Sequence, residues 1–133
     1  MRLLTRDTDY AIRVLLHMAR NSGRVFSTGE LTKDLGVPRP FIRKFLYALG
    51  RHKILKSTKG KGGGFGLKVK PSKIRIIDLM KIFQGAASAD NCMFNKKICP
   101  NRKCCPLRAK IKDIEEKISS GFAAITIASL IAK

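Results

Sequence analysis

Acidic residues and histidines are scarce in this chain of 133 residues, which has nine Asp and Glu and two His against 28 Lys and Arg. The sequence contains no Ser-His-Asp set, no His-based metal motif and no paired acidic cluster. Hydrolytic, acid–base and metal-dependent catalysis usually depend on such groups. We therefore expect a protein that is not an enzyme.

Long apolar runs are also missing, since no stretch approaches the roughly 18 residues that a membrane-spanning helix needs. The segment from Met1 to Asp7 lacks the hydrophobic core of a signal peptide. These absences predict a cytoplasmic protein that does not span a membrane. The formal net charge of +19 indicates a polyanionic partner, with nucleic acid the first candidate and an anionic membrane surface the second. The polar helix faces carry acids as well as bases, which argues against the membrane surface, so we expect no membrane partner.

A helix-turn-helix pattern occupies residues 27–49. Ser27 and Glu30 have capping-box spacing, Gly36 suits a helix end, and Pro40 suits the first turn of the next helix. No acid occurs between Val37 and Ile77, which favours DNA recognition over an ordinary solvated helix face. The apolar positions of the second helix are Phe41, Ile42, Phe45, Leu46 and Leu49, and its outward positions are Arg39, Arg43, Lys44 and Tyr47.

A basic, glycine-rich segment follows the second helix. Residues 54–58 and 65–69 read as two strands around the tip Lys59-Gly60-Lys61-Gly62-Gly63-Gly64. Glycines allow the tip to bend and to approach another backbone closely, while Lys59 and Lys61 add positive charge that a minor groove attracts. The pattern predicts the wing of a winged helix. A nucleotide-binding loop is less favoured because a helix should then follow the glycines.

The C-terminal part has the pattern of a long amphipathic helix. Its apolar residues alternate spacings of four and three, close to a coiled-coil seam, and they are Leu107, Ile111, Ile114, Ile118, Phe122 and Ile125. Helix-turn-helix proteins commonly bind paired half-sites as dimers, so we expect this stripe to form a homodimer contact, with docking on its own domain as the alternative. The fold class predicted is mostly α with a small β wing, a winged helix-turn-helix domain followed by a long dimerisation helix.

All four cysteines lie between residues 92 and 105, in a loop rich in Lys, Arg and Asn. Disulfides are rare in the cytosol, and basic neighbours lower the pKa values of thiols. These cysteines are therefore better candidates for metal ligands or redox groups than for structural disulfides. Cys92, Cys99 and Cys105 are widely spaced, and the C-x-x-C pair that zinc sites favour is absent. Metal or cluster binding is therefore the first interpretation, with a thiol redox switch and inert cysteines as alternatives.

The chain resembles the Rrf-type winged-helix transcriptional regulators, the group of the IscR-like and NsrR-like iron–sulfur sensors. The resemblance rests on the stretches 1–3, 8–11, 51–55 and 59–65 and on Cys105-Pro106-Leu107-Arg108. It implies domains at 1–85 for DNA binding, 86–106 for the cluster and 107–133 for dimerisation.

The resemblance further implies a homodimeric repressor or activator that binds a double-stranded DNA operator. It implies a [2Fe-2S] or [4Fe-4S] cluster on Cys92, Cys99 and Cys105, with zinc as the alternative. The uncertain fourth ligand is Asp9 of the other protomer or Cys104. In this sequence the first cysteine spacing is one residue longer than the family's usual one, and Cys104 is additional.

Overall fold

The computed structural model describes residues 3–21, 23–85 and 106–131. It confirms the mostly helical fold with a small antiparallel sheet. The elements in these ranges, in chain order, are α1 (Arg6–Arg20), α2 (Thr28–Leu35), α3 (Arg39–Arg51), β1 (Leu55–Thr58), β2 (Gly64–Leu67), a 3₁₀ turn (Pro71–Lys73), α4 (Ile76–Gln84), α5 (Pro106–Ala123) and α6 (Ile127–Ile131). No helix in this part of the chain has the length and apolar character needed to cross a membrane.

The predicted ends of α2 are confirmed, with one difference in the cap. The Ser27 hydroxyl accepts a hydrogen bond from the Glu30 amide at 3.1 Å, and Gly36 adopts the left-handed conformation at φ 66°. The Glu30 carboxylate pairs with Arg24 at 2.5 Å, and no bond from it to the Ser27 amide is present among the described residues. The capping box is therefore half formed, because a guanidinium competes for the carboxylate.

The core lies where α1, α3 and α4 meet. Its fully buried side chains include Val14, Leu15, Met18, Phe45, Leu46, Leu49 and Leu79. Phe41, predicted on the apolar face of α3, is 43% exposed, because it lies in the first turn of the helix, at the edge of the buried face. Burial of the remaining apolar positions fixes which side of α3 points outward.

The hairpin β1–β2 is attached to the core through Phe26. Leu55 pairs with Leu67 and Thr58 with Gly64 in an antiparallel register. Phe26 adds a short third rung, with its amide donating to the Phe65 carbonyl at 2.8 Å and its carbonyl accepting from the Phe65 amide at 2.7 Å. The wing is therefore held at its base by backbone hydrogen bonds, while its tip projects.

The C-terminal seam differs from the sequence prediction. Helix α5 ends at Ala123, and Thr126 begins α6 through reciprocal bonds with Ser129, each backbone amide donating to the other hydroxyl at 3.0 Å. Residues 125 and 127 pair with the backbone around Arg75, and Ile127 is fully buried. Phe122 and Ile125 pack on the core of their own chain, so the predicted single helix with a seam running to Ile125 is wrong at its end.

A lysine occupies a left-handed position at the end of α3. The Lys53 amide donates to the Gly50 carbonyl and the Ile54 amide to the Leu49 carbonyl, both at 3.0 Å. This is the Schellman arrangement, which favours glycine, yet Lys53 has φ 61°. A side chain in that conformation costs about 1 kcal/mol.

Replacing Lys53 with Gly should therefore stabilise the protein by up to about 1 kcal/mol, since Gly removes the left-handed strain but adds some unfolded-state entropy. Urea unfolding measures the change, with Lys53→Ala as the control that keeps the strain. Equal or lower stability of the glycine variant relative to the alanine variant would show that the position is not strained.

Candidate nucleic-acid interface

The outer face of α3 is basic and faces the wing. Arg39, Arg43, Tyr47 and Arg51 recur every four residues and are exposed; Tyr47 is 69% exposed. An open cleft of about 610 Å³ separates this face from the hairpin. Its lining comes from α2, α3 and both strands and consists of Thr28, Arg43, Leu46, Tyr47, Gly50, Arg51, Leu55, Ser57 and Phe65.

Arg51 also lines this cleft, although it is not among the DNA-binding residues predicted from the sequence. It follows Tyr47 by four residues and so continues the spacing of Arg39 and Arg43. That periodicity would have found it. The cleft combines a protruding helix with an adjacent hairpin, a shape that can hold the edge of a duplex.

The wing tip presents Lys59 and Lys61 as exposed side chains. Gly60 and Gly62 have positive φ angles of 97° and 79°, a conformation that L side chains rarely adopt. At Gly63 a Cβ atom would collide with the backbone carbonyls of Thr58 and Gly60. The predicted glycine tip is therefore a sterically required turn that carries two cations outward.

Charge on this surface is unbalanced. Within residues 3–21 and 23–85, each of the five acids is paired with a base; the pairs are Asp9–Arg13, Asp34–His17, Glu30–Arg24, Asp7–Lys44 and Asp78–Arg75. In the same ranges Arg39, Arg43, Lys59 and Lys61 form no ion pair. Lys44, predicted with them, differs because its Nζ lies 2.7 Å from Asp7 Oδ2.

Asp9, the uncertain fourth cluster ligand, lies in the first turn of α1. Its Oδ2 is 3.0 Å from Arg13 Nε, and its side chain is 44% exposed. An open polar pocket of about 500 Å³ surrounds it, lined by Leu4, Thr5, Arg6, Asp9, Tyr10 and Arg13. The predicted ligands Cys92, Cys99, Cys104 and Cys105 lie outside the described residues. Within the described ranges no three His, Cys, Asp or Glu side chains group into a metal site.

A polar contact not foreseen from the sequence joins α4 to the start of α1. Gln84 Oε1 accepts from Thr8 Oγ1 at 2.7 Å and from the Thr5 amide at 3.1 Å. Gln84 Nε2 donates to the Leu3 carbonyl at 3.0 Å, and Thr8 is fully buried. The last residue of α4, one position before Gly85, is thus tied to the N-terminal turn that carries Asp7 and Asp9.

Residues 4–133 match the model of a protein family described as Rrf2, iron-dependent transcriptional regulator. The chain belongs to the Rrf2 family. The resemblance to Rrf-type regulators inferred from the sequence is thereby confirmed, and the family is one of transcriptional regulators, not of enzymes.

Two proteins of similar sequence are consistent with the assignment of this chain to the Rrf2 family. A protein of Aquifex aeolicus (strain VF5), named as an HTH-type transcriptional regulator, is 31% identical over 124 residues, which cover 92% of this chain and 86% of that protein. A protein of Rhizobium meliloti (strain 1021), named aau3, is 29% identical over 110 residues, covering 82% of this chain and 71% of that protein.

Solved structures of the Rrf2 type share the fold. The IscR of T. potens has a TM-score of 0.78 at 17% identity, covering 98% of this chain and 87% of that chain. CymR, the global cysteine regulator of B. subtilis, has a TM-score of 0.79 at 16% identity, and the match covers 99% of this chain and 98% of that chain. At these identities the likeness concerns the winged-helix fold alone.

Proposed function

We propose that this Rrf2-family chain is a homodimeric regulator that binds a DNA operator and whose affinity is controlled by an iron–sulfur cluster. The observation that carries the DNA-binding part is the cleft between α3 and the wing, lined by arginines that have no acidic partner among the described residues. A surface of unpaired cations attracts the phosphates of a nucleic acid.

In this proposal α3 enters the major groove, whose width admits one helix. Arg39 and Arg43 contact base edges or phosphates, and Tyr47 adds an exposed aromatic ring. The wing lies across the adjacent backbone, where Lys59 and Lys61 reach phosphates or the minor groove.

Replacing Lys59 and Lys61 with Ala should weaken DNA binding and flatten its salt dependence by about two units of slope, since each lost phosphate contact removes roughly 0.9 unit. Fluorescence anisotropy of a labelled duplex at several salt concentrations measures both effects. The control is Lys112→Ala with Lys117→Ala, which removes the same charge from exposed positions on α5. Equal slopes for the two double variants would contradict the wing assignment.

The cluster part of the proposal rests on donor chemistry and on family membership. Cys92, Cys99 and Cys105 supply three thiolates, the ligand type that iron–sulfur clusters use, and the family description names iron dependence. Asp9 of the partner protomer is a suitable fourth ligand, because its exposed carboxylate lies beside an open polar pocket. To bind a metal it would have to leave Arg13. Cys104 is the other candidate.

The dimer part rests on the exposed half of the predicted seam. Leu107, Ile111 and Ile114 are 67%, 40% and 56% exposed on α5, and Ile118 is half-buried beside them. Apolar side chains in a row at helical spacing are normally covered. A second copy of α5 would cover them.

A second candidate is a DNA-binding regulator that uses the same cysteines as a thiol switch or a zinc site. This alternative rests on the basic residues around the four cysteines, since basic neighbours lower thiol pKa values. Anaerobic purification with absorbance, iron, sulfide and zinc analysis separates the two. A brown, air-sensitive protein with iron and sulfide supports the cluster, while a colourless, air-stable one supports the alternative.

A further inference from the structure

Asp7 lies beside the outer face of α3 and contacts that helix directly. Its Oδ2 is 2.7 Å from Lys44 Nζ, and the two side chains are 33% and 57% exposed. Packing of α1 against α3 fixes this proximity, because the Tyr10 and Phe45 rings meet below it with centroids 5.9 Å apart. Asp7 makes the single ion pair with α3 among the described residues.

Lys44 lies on the outer face of α3, not at its flank. Lys44 precedes Arg51 by seven positions, a spacing that returns a helix to within about 20° of the same direction. Arg51 lines the cleft, and Lys44 is exposed. Lys44 would therefore reach the phosphates of a duplex bound to this face if its ammonium group were not paired with Asp7.

We propose that Asp7 limits the affinity of this surface for DNA of any sequence, because it withholds Lys44 from DNA phosphates. This inference rests on the proposed DNA-binding function. Sequence-independent affinity comes almost entirely from phosphate contacts, whereas base contacts carry the discrimination. Cancelling one cation on the face reduces the first contribution and leaves any base contacts of α3 unchanged. In a chain of net charge +19, such a restraint lowers specific and non-specific affinity by the same factor, so it sets how tightly the protein binds DNA and not which sequence it prefers.

The test measures binding of the full-length protein to a random-sequence duplex at several salt concentrations. Asp7→Asn should steepen the logarithmic salt slope by about 0.9 and tighten binding about five- to tenfold at 100 mM salt, because one phosphate contact is gained. Asp113→Asn is the charge-matched control, an exposed acid on α5 outside the winged helix, and should change the slope little. In a Lys44→Met background, Asp7→Asn should leave the salt slope unchanged, because no cation is then released to bind a phosphate.

A second comparison avoids any change at Asp7, which also lies in the first turn of α1 and could stabilise that helix. Lys44→Met should leave the salt slope unchanged, whereas Lys59→Met, at the proposed phosphate contact of the wing, should reduce it by about 0.9. Loss of slope in Lys44→Met, equal effects of Asp7→Asn and Asp113→Asn, or a full steepening of about 0.9 by Asp7→Asn without Lys44 would each overturn the inference. Failure of the wild type to bind duplex at 50 mM salt would instead overturn the proposed function.

Discussion

Gly64→Ala should cost about 2–4 kcal/mol of unfolding free energy and release the wing from the core. A Cβ atom at Gly64 would collide with the carbonyl of Phe26 and approach the Ser27 amide, and φ at this residue is 154°. The obstructing atoms are backbone atoms of the rung that holds the hairpin, so they cannot rotate away as a side chain would. Overpacking costs about 1–3 kcal/mol and backbone strain a similar amount.

The matched control is Gly62→Ala at the tip of the same hairpin. Gly62 also has a positive φ, 79°, but no atom lies within 4 Å of the position that its Cβ would take. Gly62→Ala should lower the unfolding free energy by only about 1 kcal/mol, which is the cost of the left-handed conformation for a residue with a side chain. Urea unfolding of both variants gives the comparison. Equal losses would show that the contact between Gly64 and Phe26 does not anchor the wing.

Ile114→Asp should raise the dissociation constant of the proposed dimer by about two to four orders of magnitude. Burial of one such side chain contributes about 1.5–3 kcal/mol, a two-fold interface loses it twice, and about 1.4 kcal/mol corresponds to a factor of ten. Ile114 is the better site than Ile118, because Ile114 is 56% exposed and its replacement removes little packing within the chain.

Analytical ultracentrifugation over a range of concentrations measures this equilibrium. Ser120→Asp introduces the same side chain at an exposed position on the opposite side of α5 and should leave the dimer intact. The dimer proposal fails if the wild type sediments as a monomer at high concentration, or if both aspartate variants dissociate equally.

Local signals in the sequence predicted the local features of the winged helix. Ser27 and Gly36 mark the ends of α2 because capping depends on the nearest few residues. The glycines after Lys59 predict the tip for the same reason, and the four-residue spacing of Arg39 and Arg43 predicts the outer face of α3. The family resemblance of these stretches was confirmed over nearly the whole chain.

Features that depend on distant residues were not predictable in this way. Gln84 contacts Thr5 and Thr8 across 79 and 76 positions, and Lys44 meets Asp7 across 37. The apolar pattern of Phe122 and Ile125 fits a seam that continues along one helix. In the structure a new helix begins at the Thr126 cap, and both residues pack against the core of the same chain. Apolar periodicity shows that one face of a helix is buried, but it does not show which surface covers that face.

The cluster ligands stay predictions from the sequence and the family, since Cys92, Cys99, Cys104 and Cys105 lie outside the described residues. Among the described residues, the hydrogen bonds of Gln84 to Thr5 and Thr8 hold the end of α4 against the turn that carries Asp7 and Asp9.

Control of DNA affinity by the cluster is tested most simply by comparing the loaded and the iron-free protein. The protein is reconstituted anaerobically, and its dissociation constant is measured for a duplex that it selects from a random-sequence pool, before and after iron is removed by chelation. We expect the two dissociation constants to differ by about 5- to 150-fold, the usual range of coupling between two sites. The Cys99→Ser, Cys105→Ser variant should show no such difference. Equal affinities of the loaded and iron-free wild type, or a reconstituted protein without iron and sulfide, would contradict control by the cluster.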